Sequence, residues 1–374
     1  MDLPNSQFRA STRPLTALVA AFLWTAALAA ATGRAAAHVD YVTDPPTAAE
    51  DGITFAVDVL STPLNAALIG GGALGVLALV ALDRVFQPAV PDVAALRDAL
   101  AEYDEYVPWM LRLSLGLPLV GAGFNGYLFS PAVGADARLL QVGLGFFILF
   151  GLATRLVAAA GLASYLAAFA FNPGLILAVE YVPGFLAIAL LGGGRPSADH
   201  MLGVVARTPG TFYGRIDPVS DLADRFGAAV APFERFAPTI LRVGLGVAFA
   251  YLGLVEKLAN PARALQVVEK YDLTAVVPVD AGLWVLGAGL TEIGVGLLLV
   301  AGFYTRGAAA VAFLTLVGTL FGLPDDPVLA HVTLFGLLSA VFTFGAGPLS
   351  LDAWLAAKSD RAQPGAMSAE PADD

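Results

Sequence analysis

No cysteine occurs in the 374 residues, so disulfide exchange, iron–sulfur ligation and thiolate-held metals are unavailable to this chain. Histidine is nearly absent as well, limited to His38, His200 and His331. A haem with two axial histidines needs a pair at matching depth. His200 falls in a connecting loop and His331 near the far end of an apolar run, so no such pair exists. There is no Gly-x-x-x-x-Gly-Lys phosphate cradle, and Gly70-Gly71-Gly72 and Gly192-Gly193-Gly194 lack the strand–helix setting of a dinucleotide fingerprint. Charged residues are scarce at 14%, roughly half the share usual in a soluble domain. The net charge is −11 and no basic patch is present to displace phosphate counterions, which argues against nucleic acid as a partner. Only 3 lysines stand beside 17 arginines and 31 acidic residues, a balance that suits solvation at high salt and points to a halophilic source.

What the chain has instead is apolar length. Hydrophobic residues make up 57%, in runs long enough to cross a ~30 Å hydrocarbon layer as helices. The runs are continuous, without the two-residue alternation of a membrane barrel, and inside lipid that leaves helices. They also recur in order. Leu-Arg-Leu-x-Leu-Gly at 111–116 meets Leu-Arg-Val-x-Leu-Gly at 241–246, an offset of 130. After an insertion of 21 residues the offset is 151: Gln141-Val142-Gly143 lies over Glu292-Ile293-Gly294, Gly151-x-x-Thr154-Arg155 over Gly302-x-x-Thr305-Arg306, and Glu180 over His331. Ser197-x-Asp199 then meets Ser350-x-Asp352.

The expected fold is therefore an all-α integral membrane protein, with two parallel four-helix transmembrane repeats after one extra N-terminal membrane helix. Spans are expected at 108–129, 137–153, 155–171 and 175–193, and again at 237–258, 281–303, 305–322 and 328–346. An even number of helices per repeat gives both copies one orientation, related by an axis along the membrane normal, so that they pack as an intramolecular pseudo-dimer. The segmentation runs as follows: signal peptide or uncleaved first helix (1–37), short acidic external segment (38–62), transmembrane helix (63–84), amphipathic connector (85–107), first repeat (108–202), second amphipathic connector (203–236), second repeat (237–356) and a disordered acidic tail (357–374). The connectors fit either the inner membrane surface or helices packed on the bundle.

Orientation follows from the basic residues. With Arg9 and Arg13 inside, one face collects thirteen Lys and Arg and the other only Arg138, Lys257, Arg263 and Lys270. This predicts a multi-pass cell-membrane protein with 38–62 outside and the C-terminus in the cytoplasm.

Ionisable residues within such spans are costly and usually face a bundle interior or cavity. Lys257, Glu292 and His331, with Glu256 nearby, form an expected outer cluster for a ligand or a buried polar network. Glu292 sits eleven residues into its span, close to mid-bilayer at 1.5 Å per residue. The first repeat has Gly126, Tyr127, Gln141 and Glu180 at these places. Arg112, Arg155, Asp199, Arg242, Arg306 and Asp352 recur in both copies, as expected of inner-side ion pairs or anchors. The outer set differs between copies, which fits either a site kept in one copy or a Lys257–Glu292 pair that sets helix register.

Arg242-x-x-x-Gly246, Gly253-x-x-x-Lys257-Leu258, Glu292-x-x-Val-Gly-x-x-Leu-x-x-Gly302-x-x-Thr305-Arg306 and Gly347-Pro-Leu-Ser350-Leu-Asp352 together resemble the DoxX/DoxD-like family of four-helix membrane proteins. The resemblance covers 237–356 well, and 108–202 looks like a diverged copy. It implies association with membrane redox complexes, thiosulfate:quinone oxidoreductase subunits among them, and no complete catalytic motif is present in this chain. The expected function is thus a membrane subunit of a quinone-linked oxidoreductase with a quinone as candidate cofactor, a soluble redox partner, and the bilayer itself as surroundings. A non-enzymatic carrier, cargo-binding or small-molecule transport protein using the same pocket is the alternative.

Leu15–Ala31, flanked by Arg9 and Arg13 and followed by Ala35-x-Ala37, has the form of a secretory signal cleaved before His38. The new amine and the imidazole of His38 would together chelate Cu(II), unless processing leaves a histidine there incidentally. Terminal sequencing of protein from its native membrane should read His38 first. A chain that retains Leu15–Ala31 instead makes that run a further span.

Overall fold

The computed structural model describes residues 51–86, 91–216, 220–324 and 328–362. The expected signal, His38, residues 39–50 of the acidic segment and the tail beyond 362 lie outside the described residues.

Helices dominate, as the composition requires. α1 (Gly52–Ser61) and α2 (Pro63–Phe86) lead into α3 (Pro91–Ala101). A first bundle follows: α4 (Val107–Asn125), α5 (Arg138–Phe150), α6 (Thr154–Phe171) and α7 (Tyr181–Leu191). α8 (Ala198–Arg207), α9 (Phe212–Ile216) and α10 (Ser220–Glu234) connect it to the second. There α11 (Ala237–Tyr251) runs into a π-helical segment, Leu252–Leu258, then α12 (Pro261–Lys270), α13 (Leu273–Val276), α14 (Ala281–Ala301), α15 (Thr305–Gly322) and α16 (Val328–Phe344), with α17 (Leu351–Ala362) closing the described chain.

Local signals set the ends. Proline occupies the first turn of α4 and of α11, where its missing N–H has no helical partner to lose. Asp280 caps α14 by accepting from the Leu283 N–H at 3.1 Å. Gly151 and Gly302 close α5 and α14 in the left-handed conformation, at φ 65° and 64°.

Among the described residues six helices are long and apolar enough to cross a membrane: Pro63–Asp83, Asp104–Asn125, Thr154–Phe171, Ala237–Leu258, Ala281–Ala301 and Thr305–Gly322. This is a multi-pass membrane protein. Three of the expected spans are shorter than the sequence suggested. Arg138–Phe150 has 13 residues, about 20 Å at 1.5 Å each. Tyr181–Leu191 follows a 3₁₀ turn, Pro173–Ala178, that uses the first part of the apolar run. Val328–Phe344 has 17 residues.

Other boundaries move too. Within the all-helical fold, Gly126 (φ 75°) ends α4 and a short hairpin follows, β1 (Tyr127–Leu128) pairing antiparallel with β2 (Ser130–Gly134). Pro131 has no N–H for a continuing helix. Phe129, at φ 58°, turns its ring into an aromatic cluster 5.3 Å from both Tyr165 and Tyr181. Part of the expected external segment is α1, whose Phe55 and Val59 are buried against Val268, Leu273 and Leu283. The 21-residue insertion therefore has a packing role, supplying α12 and α13 to that second core. α8 runs across the expected 202/203 boundary, and α17 carries helix through Ala362 where a disordered tail was expected from 357. Its Ala, Leu, Lys and Arg are good helix formers and Asp352 sits in its first turn.

One main core runs through both bundles, including Leu111, Leu115, Ile148, Phe185, Leu241, Leu299 and Leu337. Packing between them is reciprocal: the first helix of each bundle lies against the fourth of the other, α4 with α16 and α11 with α7. Within bundles the first and second helices cross where glycine lets backbones meet. A Cβ on Gly145 would come 2.7 Å from the Gly116 carbonyl oxygen, and one on Gly296 would come 2.6 Å from that of Gly246.

At the α4–α16 crossing, a Cβ on Gly336 would overlap Oγ and Cβ of Ser114. Gly336→Ala should therefore lower thermal stability in detergent by ~1–3 kcal/mol, and Ser114→Gly should recover part of the loss. Gly318→Ala, with open space around the added methyl, should be neutral or stabilising.

Candidate functional site

At one end of the molecule the arginines satisfy carbonyls. Arg242 is 1% exposed and donates from Nε to Ala346 O (2.8 Å), from Nη1 to Leu299 O (2.9 Å) and Val300 O (2.6 Å), and from Nη2 to Leu349 O (2.6 Å). Arg112, 2% exposed, does the same in the first bundle, reaching Gly193 O, Leu149 O (3.2 Å) and Pro196 O (2.8 Å). These are the acceptors that helix ends leave open.

The aspartates expected beside them do other work. Asp352 accepts from the N–H groups of Tyr304 (2.9 Å) and Thr305 (3.0 Å) and from Thr305 Oγ1 (3.0 Å), capping α15. Asp199 caps α6 through the N–H groups of Ala153 (2.6 Å) and Thr154 (2.8 Å) and Thr154 Oγ1 (2.6 Å). No ion pair forms between these arginines and aspartates; each bonds backbone groups instead. Arg306 likewise bonds Phe342 O and Thr343 O at 2.9 Å, whereas Arg155 bonds Leu190 O and pairs with Glu234 at 2.9 Å. Nothing in the sequence pattern marked Glu234 as that partner.

The opposite end holds the other cluster. Lys257 Nζ donates to both oxygens of Glu292, at 2.8 and 2.7 Å. The Glu292 side chain is 11% exposed and that of Lys257 25%, so the pair lies at the edge of the core. The π-helical turn produces this placement. Gly253 brings the turn against α14, where a Cβ would meet the Gly289 carbonyl oxygen at 2.5 Å. The wider turn then buries Glu256 (2% exposed) while Lys257 reaches Glu292. Single π turns inside helices often accompany functional sites. His331 is buried at the start of α16, also 2% exposed. Of the four residues expected to cluster here, the structure joins Lys257 and Glu292 directly and keeps Glu256 and His331 in the interior.

The first bundle has no such pair. Gln141, at the position of Glu292, is fully buried, and neither amide atom has a hydrogen-bond partner among the described residues. Tyr127 is in the β-hairpin, where the second bundle has its π turn. Among the described residues no group of three or more His, Asp or Glu is arranged to hold a metal ion. The Cu(II) reading of His38 falls outside the described residues.

The DoxX family model matches residues 237–325, which lie within the second bundle. No curated protein and no solved structure matches the chain.

The carbonyl cradle generates a test. Arg242→Ala strands four buried acceptors and should lower stability by at least ~3 kcal/mol, measured by thermal unfolding in detergent. Asp352→Ala removes only a helix cap and should cost ~1–2 kcal/mol.

Proposed function

We propose that this protein, with its DoxX domain at 237–325, is a membrane subunit of a quinone-linked oxidoreductase in the cell membrane, in which the Lys257–Glu292 pair holds the polar head of the ligand. The arginine end lies in the cytoplasm with the C-terminus, and 38–62 lies outside. A soluble redox partner carries the thiol or metal chemistry that a cysteine-free chain leaves to others. We read the two bundles as a duplicated unit, which accounts for the matched arginine cradles, aspartate caps and glycine crossings at the sequence offsets.

The observation that carries this reading is the bidentate pair itself. A charged pair in an otherwise apolar bundle contributes little net stability, because desolvation of both ions offsets their attraction. It does provide chemistry that apolar side chains cannot. The Lys257 ammonium has three donors, two of them on Glu292, and the third is available to a carbonyl oxygen. Glu292 can accept from a hydroxyl. A quinol hydroxyl bridging the pair would meet a donor and an acceptor together, and a quinone carbonyl would accept from Lys257. The partial exposure of Lys257 gives such a head group access, while the ring and tail stay in apolar surroundings. Lys257 stands on the side poorer in basic residues, so the ligand is held towards the outer leaflet.

Lys257→Leu alone should destabilise the protein by ~3–5 kcal/mol, because it leaves Glu292 without its partner. The double variant Lys257→Leu/Glu292→Leu should fold with near wild-type stability and lose quinone binding in membranes containing the native complex. Full retention of binding and redox coupling in the folded double variant makes the pair structural. Ligand flux into liposomes without redox change assigns the pair to a carrier.

A further inference from the structure

Between the two bundles, at the end that carries Lys257, a narrow crevice is lined by Ile176 and Glu180 of the first bundle and by Tyr251, Leu252, Ala330 and Leu334 of the second. It has room for a water molecule but not for an organic head group. We propose that Glu180 is an intramembrane proton-binding site, whose carboxyl takes up and releases a proton through this crevice by way of a single water. Neither the DoxX match, which begins at residue 237, nor the Lys257–Glu292 reading includes this residue.

Glu180 immediately precedes α7 and is 4% exposed. It belongs to none of the ion pairs among the described residues, which are Arg155–Glu234, Arg207–Asp224 and Lys257–Glu292. The polar groups around it are hydroxyls rather than cations. Tyr165 on α6 donates to Leu175 O at 2.6 Å, Tyr181 follows on α7, Tyr127 approaches from the hairpin, and Tyr251 faces the crevice from α11. On α16, Thr333 and His331 are both buried, and His331 is next to the crevice residue Ala330. None of these is a lysine or arginine.

A buried carboxyl without a counter-cation is costly as an anion and cheap as an acid, whereas Glu292 has Lys257 to hold its charge. Exchange requires a water beside the carboxyl, and the crevice has room for one at the junction of the bundles. A water there could bond the carboxyl and reach the crevice mouth. Glu180 also occupies the position that His331 takes in the second bundle, so each fourth helix opens on a buried titratable group.

The test is infrared difference spectroscopy of the intact protein in native-lipid membranes, titrated with pH. A protonated carboxyl absorbs through its C=O stretch, apart from the carboxylate bands, and that stretch moves down when the acid proton exchanges for deuterium. Wild type should show such a band, exchanging in deuterated buffer and falling about tenfold per pH unit above the titration midpoint as the acid form is lost. Glu180→Gln should remove the band, and Glu180→Asp should keep it at a changed position. The proposal is overturned if wild type shows no carboxylic acid band that both titrates and exchanges, or if the band persists unchanged in Glu180→Gln. The wild-type readout stands even if a variant does not fold. It is also separate from quinone binding, on which the previous proposal depends.

Discussion

Every polar group of a backbone in lipid must find its partner within the protein, and the two buried arginines show how this chain meets that demand where helices end. The last turn of a helix leaves carbonyls without N–H partners. In water they would be solvated. Here Arg242 gathers four carbonyls from the end of α14 and the segment after α16, and Arg112 gathers three from the matching places in the first bundle. The guanidinium suits this task because its donors form a rigid, permanently charged fork. Gly151 and Gly302 must be glycine for the cradle to close: a Cβ on either would meet the arginine, at 2.5 Å from Nη1 of Arg112 and 2.8 Å from Cζ of Arg242. Asp199 and Asp352 then fasten the returning chain to the start of the third helix. This polar knot holds the four helices of each bundle at one end, and the shared core forms above it.

With that end fixed, the other is free to vary, and it does. In the second bundle α11 continues into a π turn and carries Lys257 to Glu292. In the first, α4 stops at Asn125 and a hairpin folds Phe129 back among Tyr165, Tyr181 and Phe185. The second bundle also receives α12 and α13, which cover its end together with α1. Two similar scaffolds thus present different chemistry on one face: a charge pair in one, and a tyrosine-lined carboxyl in the other. Glu180 sits where the two faces meet, among groups from both bundles.

Much of the fold was legible in the sequence because its causes are local. Apolar runs of membrane length dictate helices, since no other open structure satisfies the backbone in lipid. The constant offsets made matched positions visible, and Gly116 with Gly145, like Gly246 with Gly296, sit at those offsets where helices cross. Lys257 and Glu292 stood out as a lysine and a glutamate in apolar runs, and depth alone suggested that they could meet.

What the tertiary structure decided depends on contacts that spacing does not encode. The arginines and aspartates of the polar knot recur together in sequence, but whether they pair or each bind backbone is a matter of which groups the turns bring within reach. The π turn adds no residue signature, and its width follows from the packing of Gly253 on α14. α1 looked like a solvated acidic segment because its buried side, Phe55 and Val59, has meaning only when α12 and α14 lie beside it. The short α5 and α7 read as full spans because composition counts apolar residues without showing where a 3₁₀ turn or a left-handed glycine ends the helix. Glu180 read as the drifted counterpart of His331. Only the meeting of α7, α11 and α16 shows it as a buried carboxyl at a water-sized opening, because burial and access are properties of the assembled bundles.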